Sequence, residues 1–436
     1  MEKLIMQPLL LIRKIGKADI VKVFSLTAIS TLVRMLTGLI SVKVVASIIG
    51  PLGVALLGQL NNFSSMVLTL SSGGINNGIT KYIAEYKEDN DKMTTFLSTA
   101  LRITIICSLF TGLLIILFNS FLSRVIMLSP DYNYVFVIFG FTILFYALNM
   151  MLVSIINGLK EFRKYVKISI AGSIIGLFFT LVFVFTLGLP GALISAVTFQ
   201  SVLFFVTLWM VRKLPWFNWS FFREKLNIEV SKKYSRYTLM TIVTAATLPV
   251  SQILLRGYVI SYISPIEAGW WEAMNRISGM YLMVITSSFS VYYLPRLSEL
   301  SNNVELRHEI FKAYKVIIPM LIIGFTLIYV LRFFIIRVLF TPEFFPMEKL
   351  FIWQLLGDFF KILSWLLAFL MVAKSMTKAF VSTEIIFALT FVGMGFLFMH
   401  WNAVIGITQA YFINSVFYLL YMIFLFRKLL INKIFY

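Results

Sequence analysis

Long apolar runs, separated by short polar or charged segments, recur along the whole chain. A helix needs about 20 mostly apolar residues to cross the hydrocarbon core of a bilayer, and the runs reach that length, whereas barrel strands are shorter and alternate. The pattern therefore predicts a multi-span helical membrane protein. The predicted spans are 21–49, 53–80, 95–118, 133–157, 166–187, 191–211, 236–260, 268–294, 313–338, 347–373, 379–398 and 404–426.

The twelve spans fall into two groups of six. The longest connection, at 212–233, follows the sixth span near the middle of the chain. It is therefore the expected boundary between two bundles. The predicted organisation is an amphipathic cytoplasmic segment at 1–20, a first six-helix bundle at 21–211, a cytoplasmic linker at 212–235, a second six-helix bundle at 236–426 and a cytoplasmic tail at 427–436.

The two groups of spans show an internal sequence repeat. The motif Ile-x-Pro, followed ten residues later by Asn-x-x-Ser, occurs at 49–64 and again 214 positions later at 263–278. Because each group has an even number of spans, both copies enter the membrane from the same side. Such parallel repeats are a transporter architecture, with the substrate path at the repeat interface. The expected fold class is all-α integral membrane, with twelve transmembrane helices in two six-helix bundles related as parallel repeats.

The composition excludes a soluble globular domain. The chain is 60% hydrophobic and only 13% charged, whereas soluble domains carry roughly 25% charged residues. If the N-terminus is inside, the external connections hold few basic residues, as the positive-inside rule requires, and both termini are cytoplasmic. Those few are Arg124, Arg256, Arg337 and Lys349. The net charge of +19 then reflects topology, so anionic membrane lipid is a simpler partner than nucleic acid.

The chain has few cysteine and histidine residues that could ligate a metal ion or a cofactor. The chain has one cysteine, Cys107, and two distant histidines, His308 and His400. This inventory offers neither a disulfide framework nor a histidine cluster. We therefore expect no metal site, no catalytic residues and no cofactor.

Ionisable residues inside the spans are the most informative feature, because each costs roughly 2.5–3.5 kcal/mol at the bilayer centre. Arg34 lies in span one, Glu272 and Arg276 lie in span eight, and Asp358 and Lys361 lie in span ten. Glu272 and Arg276 are spaced i, i+4, and Asp358 and Lys361 are spaced i, i+3. The acid and the base of each pair could therefore neutralise each other along one helix face. Arg34 has no acid within helical reach and needs another explanation.

The sign of these charges indicates an anionic substrate. Lys43 and Arg256 occupy near-equivalent positions in the two halves, which predicts one cation from each half near the outer mouth. Arginine binds phosphate bidentately, so a phosphorylated substrate fits a lumen with excess positive charge.

Amide side chains in span two are candidates for contact with sugar. They are Asn61, Asn62, Asn76 and Asn77. The alternative, that they serve helix packing through interhelical hydrogen bonds, is equally consistent with the pattern.

Four segments resemble Wzx-type flippases, which handle O-antigen or enterobacterial-common-antigen units. The segments are GINNGITKYIAEY (74–86), SRYTLMTIVTAATLPVSQILLR (235–256), ITSSFSVYYLPRLSEL (285–300) and LFIWQLLGDFFKILSWL (350–366). The resemblance covers essentially the whole chain. It implies a MATE-like fold of the multidrug/oligosaccharidyl-lipid/polysaccharide exporter (MOP) superfamily in the bacterial inner membrane. It also implies transfer of an undecaprenyl-diphosphate-linked oligosaccharide from the cytoplasmic to the periplasmic leaflet by alternating access.

The resemblance further implies a lumen lined by cations. The matching residues here are Arg34, Lys43, Lys81, Arg256, Arg276 and Lys361. Asp358 and Glu272 are the candidates for proton or sodium coupling, with the membrane potential as a further energy source. The expected partners are the lipid-linked oligosaccharide, membrane lipids and other polysaccharide assembly proteins.

Two alternative functions stay open. A drug/cation antiporter of the same superfamily would favour a net acidic lumen, whereas the deep residues here are three cations and two acids. A membrane glycan polymerase, ligase or glycosyltransferase would need a sizeable external domain, and no external connection exceeds about fifteen residues. We therefore expect a transporter, not an enzyme.

Overall fold

The computed structural model describes residues 2–214, 217, 223–300, 302–374 and 376–431, without the side chains of 2–27, 236, 237, 239, 240, 291 and 295. These residues are almost entirely helical and contain no strand. The first half contains α1 (Glu2–Ser71), α2 (Asn76–Tyr86), α3 (Asn90–Leu117), α4 (Asn119–Ile126), α5 (Asn133–Gly158), α6 (Phe162–Leu187) and α7 (Leu189–Val211). The second half contains α8 (Ile228–Tyr258), α9 (Pro265–Ser288), α10 (Leu294–Glu299), α11 (Asn303–Val330), α12 (Arg332–Leu339), α13 (Glu348–Ala373), α14 (Thr377–Leu425) and α15 (Arg427–Ile431).

The helix bounds accommodate the twelve predicted spans. Among the described residues, nine helices are long and apolar enough to cross a membrane. Two of these, α1 and α14, are bent, at Gly50 and at Asn402–Ala403, and each supplies two spans. The remaining span is α9, which is less apolar because it contains Glu272 and Arg276. The chain is therefore a multi-pass, all-α membrane protein, as predicted.

Parts of the predicted organisation lie outside the described residues. The segment predicted at 1–20 is continuous with the first span as part of α1, and its side chains are not described. Residues 215, 216 and 218–222 of the predicted linker and 432–436 of the predicted tail are also outside the description. The exact boundaries of the two bundles, of the linker at 212–235 and of the terminal segments therefore stay predictions.

Breaks in the helices recur in both halves at the repeat offset. Gly50 has φ 63°, in the left-handed region, and Ser264 is extended at φ −165°; each directly precedes a proline that begins the next helical arm. Gly188, at φ 62° and ψ −132°, is matched 215 positions later by Ala403, at φ 47° and ψ −135°. The short helices α4 and α12 both have eight residues. These matches support the parallel repeat in the backbone itself.

The repeated breaks define one end of the molecule, which we call the kinked end, and the 212–227 connection defines the linker end. Contacts cross between the bundles at both ends. At the kinked end the Lys43 ammonium donates to the carbonyl of Phe340 over 2.8 Å. At the linker end the Thr238 hydroxyl donates to the carbonyl of Gly73 over 2.9 Å.

At the kinked end the hydrophobic core is continuous across both bundles. There, one cluster of buried side chains joins Val45 and Leu60 of the first bundle to Trp271 of the second. Towards the linker end, a separate cluster around Leu367 lies in the second bundle. Another, around Ile155, lies in the first bundle together with the start of α8. The bundles thus share one core cluster at the kinked end, whereas at the linker end the start of α8 packs into the core of the first bundle and the rest of the second bundle has its own cluster.

Candidate functional site

A buried network of charges lies where α8 and α9 meet the second arm of α1. The guanidinium of Arg256 is 0% exposed and forms an ion pair of 2.5 Å with one oxygen of Glu272. It also donates to Gln59 Oε1 over 3.3 Å and lies 5.2 Å from the ring centre of Trp271. We call Arg256, Glu272, Arg276 and Gln59 the arginine–glutamate network.

Arg276 completes this network from the next turn of α9. Its Nε lies 3.0 Å from the second oxygen of Glu272, so one carboxylate serves two guanidinium groups. The i, i+4 pairing of Glu272 with Arg276 that the sequence left open is therefore formed, with Arg256 as a third member. Two buried donors, Arg256 Nε and Arg276 Nη2, have no partner among the described residues. The network retains one net positive charge and unused donors.

The predicted position of Arg256 in an external connection is wrong. The side chain is buried inside the bundle because Glu272 and Gln59 compensate its charge and hydrogen-bonding groups. Lys43, expected near Arg256 at an outer mouth, is half-buried at the kinked end, where its ammonium donates to the carbonyl of Phe340.

Gln59 is a member of the network that the sequence predictions omit. It is 0% exposed, and its Nε2 donates to the carbonyl of Ile253 over 3.2 Å while its Oε1 accepts from Arg256. Gln59 therefore connects the first bundle to α8 through two hydrogen bonds. The signal available in the sequence was an amide that follows the apolar run 54–58 and lies two residues before Asn61.

Asp358 forms a second buried cluster, on α13. Its carboxylate accepts hydrogen bonds from Ser278 Oγ at 2.7 Å, from the hydroxyl of Tyr281 and from the hydroxyl of Tyr411 at 2.8 Å. Gln354 Nε2 adds contacts of 3.4 Å to both oxygens. The carboxylate is thus held by neutral donors from three helices.

The alternative in which Asp358 pairs with Lys361 is not realised. Among the described residues no ion pair within 4.0 Å joins them, because hydroxyl and amide donors already occupy the carboxylate. The ammonium of Lys361 lies 4.4 Å from the ring centre of Tyr418, in a cation–π arrangement. Its charge faces a cavity.

That cavity, of about 500 Å³, lies within the second bundle between α8, α9, α13 and both arms of α14. Its volume falls within the usual range of roughly 300–1,000 Å³ for small-molecule sites. Charged Lys361 and Glu384 line it beside aromatic rings such as Trp271 and Trp365. We call it the second-bundle cavity.

The other predicted cations lie apart from this cavity, in the first bundle. Arg34 is exposed, and its Nη2 donates to Ser169 Oγ over 2.9 Å, joining α1 to α6. Lys81 is exposed on α2 with its ammonium 5.4 Å from the ring centre of Tyr82. The six predicted lumen cations therefore do not form one cluster.

The four predicted sugar-contact residues divide between two helices. Asn61 and Asn62 lie on the second arm of α1, one turn from Gln59, and Asn62 Nδ2 is buried without a partner among the described residues. Asn76 and Asn77 begin α2, where Asn76 Nδ2 donates to a serine hydroxyl one turn earlier over 3.2 Å. Only the first pair lies near the arginine–glutamate network.

Sequence comparison relates the chain to proteins of polysaccharide assembly. Residues 20–301 match the family described as polysaccharide biosynthesis protein. The lipid III flippases of Escherichia coli and Shigella flexneri are each 28% identical to the chain over 397 residues. The match covers 90% of this chain and 94% of each relative.

Structural comparison identifies the fold. The lipid II flippase MurJ in an inward closed conformation superposes with a TM-score of 0.72 at 17% identity, covering 93% of this chain and 87% of MurJ. An inward-facing multidrug resistance MATE transporter of the MOP superfamily gives 0.69 at 14% identity, covering 92% of this chain and 98% of that one. The chain therefore has the MOP superfamily fold that the sequence predicted.

Proposed function

The chain belongs to the polysaccharide biosynthesis protein family, and on this premise we propose that it is a lipid-linked oligosaccharide flippase. Its substrate would be an undecaprenyl-diphosphate-linked oligosaccharide, such as an O-antigen or enterobacterial-common-antigen unit. The protein would carry it from the cytoplasmic to the periplasmic leaflet of the inner membrane. The observation that carries this proposal is the similarity to lipid III flippases across 90% of the chain.

Charge supports an anionic headgroup as the cargo. The arginine–glutamate network keeps one excess positive charge, and Arg34 is an exposed guanidinium held in place by one serine hydroxyl. A guanidinium grips phosphate bidentately, so Arg34 is the residue that we propose for diphosphate contact.

We assign the linker end to the cytoplasm because the basic residues of the connections concentrate there. The continuous core at the kinked end then closes the periplasmic side, whereas at the cytoplasmic side the described contact between the bundles is that of the start of α8 with the first bundle. This arrangement suits a state that receives substrate from the cytoplasmic leaflet. Opening to the periplasm requires the bundles to separate at Gln59 and Lys43.

Transport of a diphosphate outward is favoured by the membrane potential. Each elementary charge moved across the field is worth about 2.3 kcal/mol per 100 mV, and the diphosphate carries roughly two negative charges away from a negative cytoplasm. Proton or sodium coupling at Asp358 or Glu272 is a further proposal. Of the two, Asp358 is held by neutral donors throughout the described residues, whereas Glu272 is neutralised by two arginines.

The test is a leaflet-accessibility assay with the purified protein in proteoliposomes and a defined undecaprenyl-diphosphate-linked oligosaccharide. We expect transfer between leaflets that exceeds that of protein-free vesicles and increases when the accepting side is positive. Absence of transfer with several such glycolipids would refute the proposal.

A second candidate is a MATE-like drug/cation antiporter, favoured only by the TM-score of 0.69 to a MATE transporter. A dye-efflux assay in cells separates the two candidates. Efflux of cationic dyes without glycolipid transfer would support the antiporter.

A further inference from the structure

The two bundles carry different charged residues at positions that the repeat relates. We infer that the second-bundle cavity binds the saccharide of the substrate, while the diphosphate is held by the first bundle. This inference rests on the proposed flippase function and adds to it a separate place for the sugar. The candidates assigned from sequence, Asn61, Asn62, Asn76 and Asn77, all lie in the first half and outside this cavity.

The repeat shows that the cavity's charged residues are a specialisation of the second bundle. At the offset of 214 to 215 residues, Asp358 corresponds to Leu144 or Ile143, and Lys361 to Ala147 or Tyr146. A six-helix bundle of this fold therefore packs without these charges. Their cost in a membrane helix, roughly 2.5–3.5 kcal/mol each, has to be offset by a function.

Arg34 and the cavity occupy equivalent places in the two copies. The pair Arg34 and Ser169, joined by a hydrogen bond of 2.9 Å, corresponds at the same offsets to Leu248 and Glu384. Both of the latter residues line the second-bundle cavity. The cation Arg34 thus has an apolar equivalent in the cavity lining, and the carboxylate of Glu384 lies at the position equivalent to Ser169. The two sites therefore differ in charge and suit chemically different parts of one molecule.

The charges of the cavity disfavour a phosphate group. Lys361 and Glu384 line the cavity with opposite charges that offset one another, and Asp358 beside it is held by neutral donors. A diphosphate carries roughly two negative charges, and a lining without excess positive charge does not compensate the loss of its hydration. Electrostatics therefore does not favour binding of a diphosphate in this cavity, whereas an uncharged sugar can bind there without that electrostatic cost.

The remaining lining matches the surface of a sugar. Trp365 adds a half-buried aromatic ring to the lining, which suits the C–H face of a pyranose, and buried donors are available to the oxygens of the sugar. Asn275 Nδ2 and Thr247 Oγ1 both belong to lining residues and have no partner among the described residues. A buried donor without a partner is costly, so a hydroxyl- and acetamido-bearing ligand would satisfy groups that the protein leaves open.

A cysteine-protection experiment tests this division. The single native cysteine is removed with Cys107→Ala, and Ala388→Cys places a thiol on the cavity wall. N-ethylmaleimide labelling is followed in proteoliposomes with undecaprenyl diphosphate carrying a neutral disaccharide and with undecaprenyl diphosphate alone. We expect the glycolipid to slow labelling about tenfold at about ten times its Kd, by simple mass action, and the sugar-free lipid to have little effect.

Two variants serve as controls. Lys361→Met should remove the protection, whereas Lys378→Met, which deletes the same charge at an exposed position of α14, should not. A thiol at exposed Ser382, introduced as Ser382→Cys, should be labelled equally with either lipid. Measurement of transfer between leaflets on the same vesicles shows whether each variant is folded and active.

The outcomes separate the inference from the proposed function. Equal protection by both lipids would make the cavity a diphosphate or isoprenoid site and would overturn the inference. A glycolipid that is transferred but gives no protection would also overturn it and would leave the flippase function standing. A glycolipid that is neither transferred nor protective would reject the proposed function, and the inference with it.

Discussion

Gly58 and Glu272 occupy equivalent positions in the two repeats, 214 residues apart, and face each other where the bundles meet. A Cβ atom at Gly58 would meet the carboxylate of Glu272. The first repeat therefore supplies empty space at the position where the second supplies a charge. The absence of a side chain at Gly58 leaves space for the Glu272 carboxylate, and thus for the arginine–glutamate network.

Replacing Gly58 by valine should destabilise this junction. The added side chain would displace the Glu272 carboxylate from its two arginines, and overpacking of a buried site typically costs about 1–3 kcal/mol. We expect a lower thermal unfolding temperature in detergent and reduced glycolipid transfer. Gly38→Val on the same helix is the matched control, because nothing lies within 4 Å of a Cβ there. Equal behaviour of the two variants would contradict the close approach.

Replacing Arg256 by methionine should be more harmful than replacing a comparable peripheral arginine. It leaves Glu272 with Arg276 alone, and breaking a buried ion pair by removing one partner costs about 3–5 kcal/mol. Arg332→Met is the control, because the 3.3 Å pair of Arg332 with Glu348 is partly exposed and should be worth at most about 1 kcal/mol. Thermal unfolding of both variants gives the comparison, and similar losses would refute the ranking.

The arginine–glutamate network also shows how far sequence predicts this site. Span number, repeat and the spacing of Glu272 and Arg276 could all be predicted, because hydropathy and helical spacing are local properties of the chain. The partners of Asp358 could not, since Tyr281 and Tyr411 come from two other helices and only packing brings them to α13. For the same reason Gln59 showed no sign of its contact with Arg256, which lies 197 positions away.

Replacing Lys43 by methionine should favour opening at the kinked end. The substitution removes the hydrogen bond from its ammonium to the Phe340 carbonyl, and a hydrogen bond to a charged group is worth about 1.5–3 kcal/mol. The measurement is maleimide labelling of Val45→Cys, a buried position in the shared core, in a Cys107→Ala background. We expect faster labelling with Lys43→Met, whereas Lys349→Met, an exposed lysine at the same end, should leave the rate unchanged. Unchanged labelling in both variants would show that this contact does not hold the bundles together.

Arg34 should be required for transport but not for folding. Its exposed side chain donates a hydrogen bond of 2.9 Å to Ser169, and this is its one side-chain hydrogen bond within the part of the chain that the structure describes, so Arg34→Ala removes little that stabilises the bundle. We expect Arg34→Ala to lower glycolipid transfer by at least about tenfold, which corresponds to about 1.4 kcal/mol, without lowering the unfolding temperature. Ser169→Ala should keep most of the activity. Full transfer by Arg34→Ala would remove this residue from the substrate site.

Arg34→Lys then distinguishes charge from geometry at the same position. A lysine retains the positive charge but offers a point-like ammonium in place of the planar fork that binds two phosphate oxygens at once. If the diphosphate is bound through a bidentate contact, the transfer rate of Arg34→Lys should be nearly as low as that of Arg34→Ala. If charge alone is sufficient, Arg34→Lys should retain a substantial part of the wild-type rate, and the dependence on membrane potential should persist. Measurement of all three proteins with glycosylated and sugar-free undecaprenyl diphosphate keeps this question separate from sugar recognition, because a diphosphate contact should change both rates by the same factor.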